Sequence, residues 1–366
     1  MPKGLGGARA RLRRGASRSS PFFLGVVAIG AFVVSLARFS STSDFEPAEP
    51  EAEPVVASEL PAAPEGTASG LPAAGAGEPP PAEAAPAGDA GPTAESAPPS
   101  PRILSLGDLR PPRRIRSAAA MIYNPATDEV LWASNARETR PIASITKVMT
   151  ALVLLEHGRD LGLDVVVSGR DVRRASTTHV RQRERVTLDD LLHLALVASD
   201  NAAARAIARA SPWGTRGFVE RMNRKAAELG LDGTRFVDPS GLDERNVSSP
   251  YDVARLIAAA MAEPALARIM AKGSYRFRTS RRPVAVRNTN RLVRERADVT
   301  GGKTGYIREA GYCLAAYVES RGGVPLAVVV LGARSNAERF AEVRRLADWV
   351  RTQGQSLLDG RRLAVQ

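Results

Sequence analysis

The sequence predicts an α/β domain over residues 101–366, in which strands from both ends share one sheet and helices fill the middle. Three observations lead there. Two strand-like runs flank a Pro/Asp turn just after residue 115, apolar residues then recur at helical spacing, and the final third returns to short apolar runs between Gly-rich turns.

The elements follow in order. "RSAAAMIYN" and "EVLWASN" surround "PATD" and predict an antiparallel hairpin over 116–134. After Pro141, residues Ile145, Val148, Met149, Leu152 and Leu155 keep the helical period, so Ser144 falls near the positive start of a buried helix. "TLDDLLHLALVAS" opens with Thr187 and Asp190 in capping-box-like positions and continues as an apolar helix. "SDN", Ser199 to Asn201, stands at the junction with the next helix, which Asp200 is placed to cap. Further helices are predicted at 202–210, 215–230 and 250–262, with "FVDPSGLDERN" as a turn-rich loop between the last two. "TGGKTGYI", "AGYCLAAYVES" and "VPLAVVVLGA" predict an antiparallel meander, and "NAERFAEVRRLADWVRTQ" an amphipathic helix capped by Asn336.

The first hundred residues differ in kind. Residues 1–20 carry Lys3, Arg9, Arg11, Arg13, Arg14 and Arg18 and no acid, followed by the uncharged apolar run Pro21–Ala37. As a helix that run would reach roughly 25 Å, at the short end of what spans a bilayer. Its basic flank should stay in the cytoplasm, so the rest of the chain is expected outside the membrane. "SLA" before Arg38 has the small residues of a signal-peptidase site, so the segment reads either as a retained signal anchor or as a signal peptide cleaved after Ala37. Residues 38–100 are rich in Pro, Ala, Glu and Gly and read as a disordered tether, which buries too little apolar surface to offset ordering entropy.

The chain holds 51 Lys and Arg against 39 Asp and Glu, a formal charge of +12, although the tether is acidic. A basic exported domain suits polyanionic partners such as cell-wall polymers or lipid headgroups. Nucleic acid is excluded as a partner class, because no interleaving of aromatic and basic residues marks a binding sheet. Cys313 is the only cysteine and sits in an apolar strand-like run, so no intramolecular disulfide forms and no Cys/His cluster suggests a metal. His157, His179 and His193 are scattered.

Only five of the 51 basic residues are lysine: Lys3, Lys147, Lys225, Lys272 and Lys303. Arginine stays protonated in proteins, whereas a desolvated lysine can lose its proton and act as a base. Lys225 and Lys272 read as surface charges. Lys147 belongs to "SITK", an S-x-x-K that places Lys147 on the same helix face as Ser144. Alone, this would be a helix cap and a solvated charge. "SDN" and the triplet "KTG", Lys303 to Gly305, follow in that order, and the three together specify a site.

The chemistry explains the residue types. Serine is a poor nucleophile until a neighbouring base takes its proton, and Lys147 must be largely neutral to do so. Burial, the helix terminus and a second cation, Lys303, should all depress its pKa. Ser199 is placed to relay a proton to a leaving amine, and Asn201 to hydrogen-bond substrate backbone. Lys303 and Thr304 would bind a substrate carboxylate, with Gly305 allowing close approach of the substrate. Backbone N–H groups of Ser144 and Tyr306 would form an oxyanion hole.

These stretches resemble the serine D-alanyl-D-alanine carboxypeptidases and endopeptidases of the low-molecular-mass penicillin-binding proteins. "ARETRPIASITKVMTA", "VASDNAAA", "LGLDGTRFVDPSGLD" and "NTNRLVRERADVTGGKTGYIREAGYCL" carry the likeness over roughly 110–350, and the last is closest to the D,D-endopeptidase branch. The resemblance implies a five-stranded antiparallel sheet with helices on both faces and a helical subdomain bearing Ser144 and Ser199. It implies acylation of Ser144 by peptidoglycan stem peptides, then hydrolysis, with β-lactams acylating the same serine and no metal or organic cofactor. Many relatives carry a second β domain and a C-terminal amphipathic anchor, for which "LLDGRRLAVQ" leaves no room, so the N-terminal segment is expected to hold the enzyme at the membrane. Two other readings use the same motifs. A serine β-lactamase needs a carboxylate to activate water, and no E-x-x-L-N segment occurs between 202 and 300. A catalytically inactive wall-binding module would not need all six polar residues intact.

Overall fold

The computed structural model describes residues 102–104, 109–158 and 160–362. The basic leader, the apolar run 21–37 and the tether 38–100 lie outside the described residues. Among the described residues, no helix is long and apolar enough to cross a membrane.

The core is a sheet whose strands are β1 (Arg102–Ile103), β2 (Ala119–Asn124), β3 (Glu129–Ser134), β4 (Val299–Ile307), β5 (Gly311–Glu319) and β6 (Pro325–Ala333). Their spatial order is β1-β3-β2-β6-β5-β4, so the first hairpin pairs with the last strand and both ends of the domain share one sheet. Five strands are antiparallel, as the resemblance implied. The sheet nonetheless has six, because Arg102 and Ile103 pair parallel to Glu129 and Val130 at one edge. A two-residue strand carries no alternation, which is why it left no mark in the sequence.

Alternation along the strands sorts side chains onto two buried faces. Ala119, Met121, Val329, Leu331 and Ala315 join one cluster, while Ala120, Ile122, Val328, Val330 and Leu314 join the other. Such a sheet must be covered twice. The helix Pro250–Ala262 packs on the first face, and Asn336–Trp349 on the second through Phe340, Val343 and Leu346, each worth roughly 1.5–3 kcal/mol of apolar burial. The latter helix is capped by Ser335, not Asn336: the extended backbone of Ser335 lets its hydroxyl accept from Glu338 N, while Asn336 already lies inside the helix.

The helical subdomain contains Thr146–Glu156, Leu188–Val197, Asn201–Ala210 and Gly214–Glu228. Thr187 caps the second by accepting from Asp190 N at 3.1 Å. Three small sheets had no counterpart in the sequence reading: Asp164–Val166 with Arg185–Thr187, Ser274–Arg278 with Pro283–Arg287, and Arg140–Pro141 with Val247–Ser248. The second hairpin alternates cleanly, "SYRFR" against "PVAVR". It leads directly into Asn288–Asn290 at the site described next.

Candidate active site

Ser144 lies in a single 3-10 turn, Ala143–Ile145, immediately before the helix Thr146–Glu156. Three residues make nearly one full turn and bring Lys147 back to it: Lys147 Nζ lies 2.8 Å from Ser144 Oγ. The same Nζ donates to Asn201 Oδ1 and to the Ser240 carbonyl, both at 2.6 Å. Lys147 is fully buried. Burial pushes its pKa down to about 7, Asp238 and Asp200 partly oppose this, and Arg205 adds to it. Lys303, the second cation that the sequence suggested, repels Lys147 in return and is itself held well below the ordinary lysine value by burial, by Lys147 and by Arg339.

Three residues at the site occupy the left-handed region without being glycine: Ala143 at φ 47°, Ser176 at φ 51° and Ser199 at φ 60°. Such strain persists only where neighbours enforce it. For Ala143 the neighbour is Gly241, where a Cβ would lie 2.0 Å from the Ala143 carbonyl oxygen. For Ser199 it is Asp200, whose Oδ1 accepts from Ala203 N at 2.9 Å as the cap of Asn201–Ala210. The other oxygen of Asp200 accepts from the His179 backbone N–H and meets His179 Nδ1 at 3.2 Å, tying down the segment that carries Ser176 and Thr177.

The loop that supplies Ser240 is organised by Asp238, one of whose oxygens accepts from Ser240 N and Oγ at 2.6 Å and from Gly241 N at 2.9 Å, while the other accepts from Asp243 N at 3.0 Å and from Asn246 Nδ2 at 2.5 Å. Burial opposes ionisation of Asp238, but these donors together outweigh it and keep the pKa below the usual aspartate value.

The third motif lies on β4. Lys303 is 1% exposed, and its Nζ donates to Ser199 Oγ at 2.7 Å and to the Thr304 carbonyl at 2.8 Å. Its amine is thus held against Ser199. Asn201, expected to bind substrate, has its amide engaged within the protein: Oδ1 accepts from Lys147, and Nδ2 donates to the Ala175 carbonyl at 2.7 Å and to Ser176 Oγ at 3.1 Å. Gly305 is glycine because β4 presses on the nucleophile turn. A Cβ there would sit 2.6 Å from the Ile142 carbonyl oxygen and 3.3 Å from Ser144 N. The next residue, Tyr306, is exposed and stacks on Tyr312 at 4.2 Å.

Ser144, Ser199, Asn201, Thr304, Gly305 and Tyr306 all line one cleft of about 480 Å³. Thr289 and Arg339, which the sequence did not assign to the site, are among the other residues lining it. Thr304 Oγ1 donates to Thr289 Oγ1 at 2.7 Å. Arg339 reaches from the helix on the opposite sheet face, donates Nη1 to the carbonyls of Gly305 (2.8 Å) and Cys313 (3.2 Å), and is lowered to about 10 by burial. Among so many arginines nothing in the sequence singled it out. No aspartate or glutamate is among the described residues lining the cleft. A nucleophile beside a neutralisable amine, facing a strand across a cationic cleft, can perform acyl transfer.

A family model described as D-alanyl-D-alanine carboxypeptidase, Peptidase_S11, matches residues 108–335. The chain belongs to this family. It is 35% identical over 265 residues to a D-alanyl-D-alanine endopeptidase of Pseudomonas aeruginosa, covering 71% of this chain and 84% of that one. Against the D-alanyl-D-alanine endopeptidase of Escherichia coli it is 35% identical over 243 residues, 65% of this chain and 78% of that one. Among solved structures, a Streptomyces DD-transpeptidase superposes with a TM-score of 0.61 at 27% identity, covering 64% of this chain and 97% of that one. Family membership makes the chain a serine peptidase of the penicillin-binding class, and the fold is that of its relatives.

Proposed function

We propose that the chain hydrolyses D-Ala-containing cross-links and termini of peptidoglycan stem peptides through an acyl-enzyme on Ser144. The observation that carries this reading is the contact of a buried, weakly basic Lys147 with the Ser144 hydroxyl. Ser144 Oγ attacks the carbonyl of the penultimate D-Ala and gives its proton to Lys147. The N–H groups of Ser144 and Tyr306 receive the oxyanion, a role supported by the approach of Gly305 to Ser144 N. Collapse breaks the C–N bond, and the departing amine takes a proton through Ser199, which Lys303 holds in place. Water then attacks the ester with Lys147 again as base. Thr304 and Arg339 bind the carboxylate of the leaving residue, while Asn201 and Lys303 hold Lys147 and Ser199 in register.

Endopeptidase action is the finer part of this reading. It is supported by the likeness to two relatives bearing that name. Digestion of purified peptidoglycan tests it: cross-linked muropeptide dimers should disappear with time. Release of D-alanine with dimers intact would reassign the enzyme as a carboxypeptidase, and neither product would end the peptidase reading. A β-lactamase is disfavoured by the cleft's lack of a lining carboxylate to activate deacylating water.

The chain acts outside the cytoplasm, held at the membrane by residues 21–37 and reaching the wall on the 38–100 tether. The uncharged run behind a basic leader supports this. Membrane fractionation before and after deletion of residues 21–37 tests it, with release to the soluble fraction expected only for the deletion.

A further inference from the structure

We propose that Thr289 is a positioning residue for carboxylate recognition: its hydroxyl orients that of Thr304 toward the anionic end of the substrate. The inference rests on the D,D-peptidase reading above. Thr289 is exposed to the same cleft as Ser144 and Thr304, and its Oγ1 lies 2.7 Å from Thr304 Oγ1. Thr304 is only 4% exposed, so water has little access to correct its orientation.

The segment Asn288–Asn290 is braced on every side. Asn288 Nδ2 donates to the carbonyls of Met270 (3.2 Å) and Lys272 (2.8 Å), and its Oδ1 accepts from Asn290 N at 2.8 Å. Asn290 Nδ2 donates to the Gly301 carbonyl of β4 at 3.3 Å. Thr289 N donates to the Val197 carbonyl at 2.9 Å, two residues before Ser199. Thr289 thus joins the wall that carries Ser199 to the wall that carries Thr304.

A hydroxyl has one proton and can rotate it. Thr304 Oγ1 donates to Thr289 Oγ1, and two hydroxyls paired in this way can exchange roles. When a carboxylate arrives, the pair reverses: Thr289 donates to Thr304, and Thr304 donates to the anion. The second hydrogen bond polarises the first, and it requires a hydroxyl at residue 289. Valine there keeps the shape and removes the donor.

The test measures acylation of Ser144 by benzylpenicillin, which bears a carboxylate, and by its methyl ester, which does not. Thr289→Val should acylate about tenfold more slowly with the acid and at the wild-type rate with the ester, and Thr289→Ser should restore the acid rate. Equal loss with both compounds would reduce Thr289 to a structural residue and overturn the proposal, as would an unchanged acid rate. A wild-type protein that takes neither compound would overturn the peptidase reading and this inference with it.

Discussion

Lys147 Nζ meets Ser144 Oγ at 2.8 Å while donating to Asn201 and to the Ser240 carbonyl, so a neutral amine spends its two N–H groups on those acceptors and keeps its lone pair for the Ser144 proton. Lys147→Ala should therefore cut acylation about 10²–10⁴-fold with the protein still folded, as loss of a general base does. Penicillin labelling followed over hours, with circular dichroism as the folding control, measures it.

The low pKa of Lys147 also has a consequence for stability. The folded value, about 7, lies below the ordinary 10.5, so between those limits the unfolded chain binds more protons than the native one. Stability contributed through this residue rises with pH across that window and is absent below it. Wild type should gain on Lys147→Met as pH rises from 7 to 10 in urea titrations. A constant difference between the two proteins would mean that Lys147 is charged in the fold at neutral pH.

Asp238 does not line the cleft, yet its carboxylate gathers the loop whose Ser240 carbonyl holds Lys147. Asp238→Ala should cost about 2–4 kcal/mol, since several buried donors lose their acceptor together. Chemical denaturation is the readout, and acylation should fall as well.

Gly241 has φ 81°, and a side chain there would collide with the backbone just before Ser144. Gly241→Ala should lower acylation more than it lowers the melting temperature, because the displaced group is the nucleophile turn itself. Stopped-flow acylation and thermal unfolding of the same preparation separate the two effects.

Much of this was legible in the sequence, for local reasons. The i, i+3 spacing of Ser144 and Lys147 already implied their contact, the position of Asp200 implied its cap, and the alternation of 299–333 implied the meander. Residues whose partners are distant in the chain were not legible. Lys303 next to Thr304 suggested a carboxylate site, but only the fold brings Ser199 within 2.7 Å of its amine. Asp238 looked like a turn residue because its loop's contact with Lys147 spans 93 positions. Arg339 lay within an ordinary amphipathic pattern, and its burial against Gly305 and Cys313 depends on the helix packing across the second sheet face.

The central claim is that Lys147 acts as a neutral amine on Ser144. The direct measurement is the second-order rate constant for penicillin acylation from pH 5 to 9, with intact-protein mass identifying the adduct. The account predicts a rate that rises through pH 7 and levels off, with no adduct on Ser144→Ala. A rate flat across that range, or labelling that survives the loss of Ser144, would contradict it.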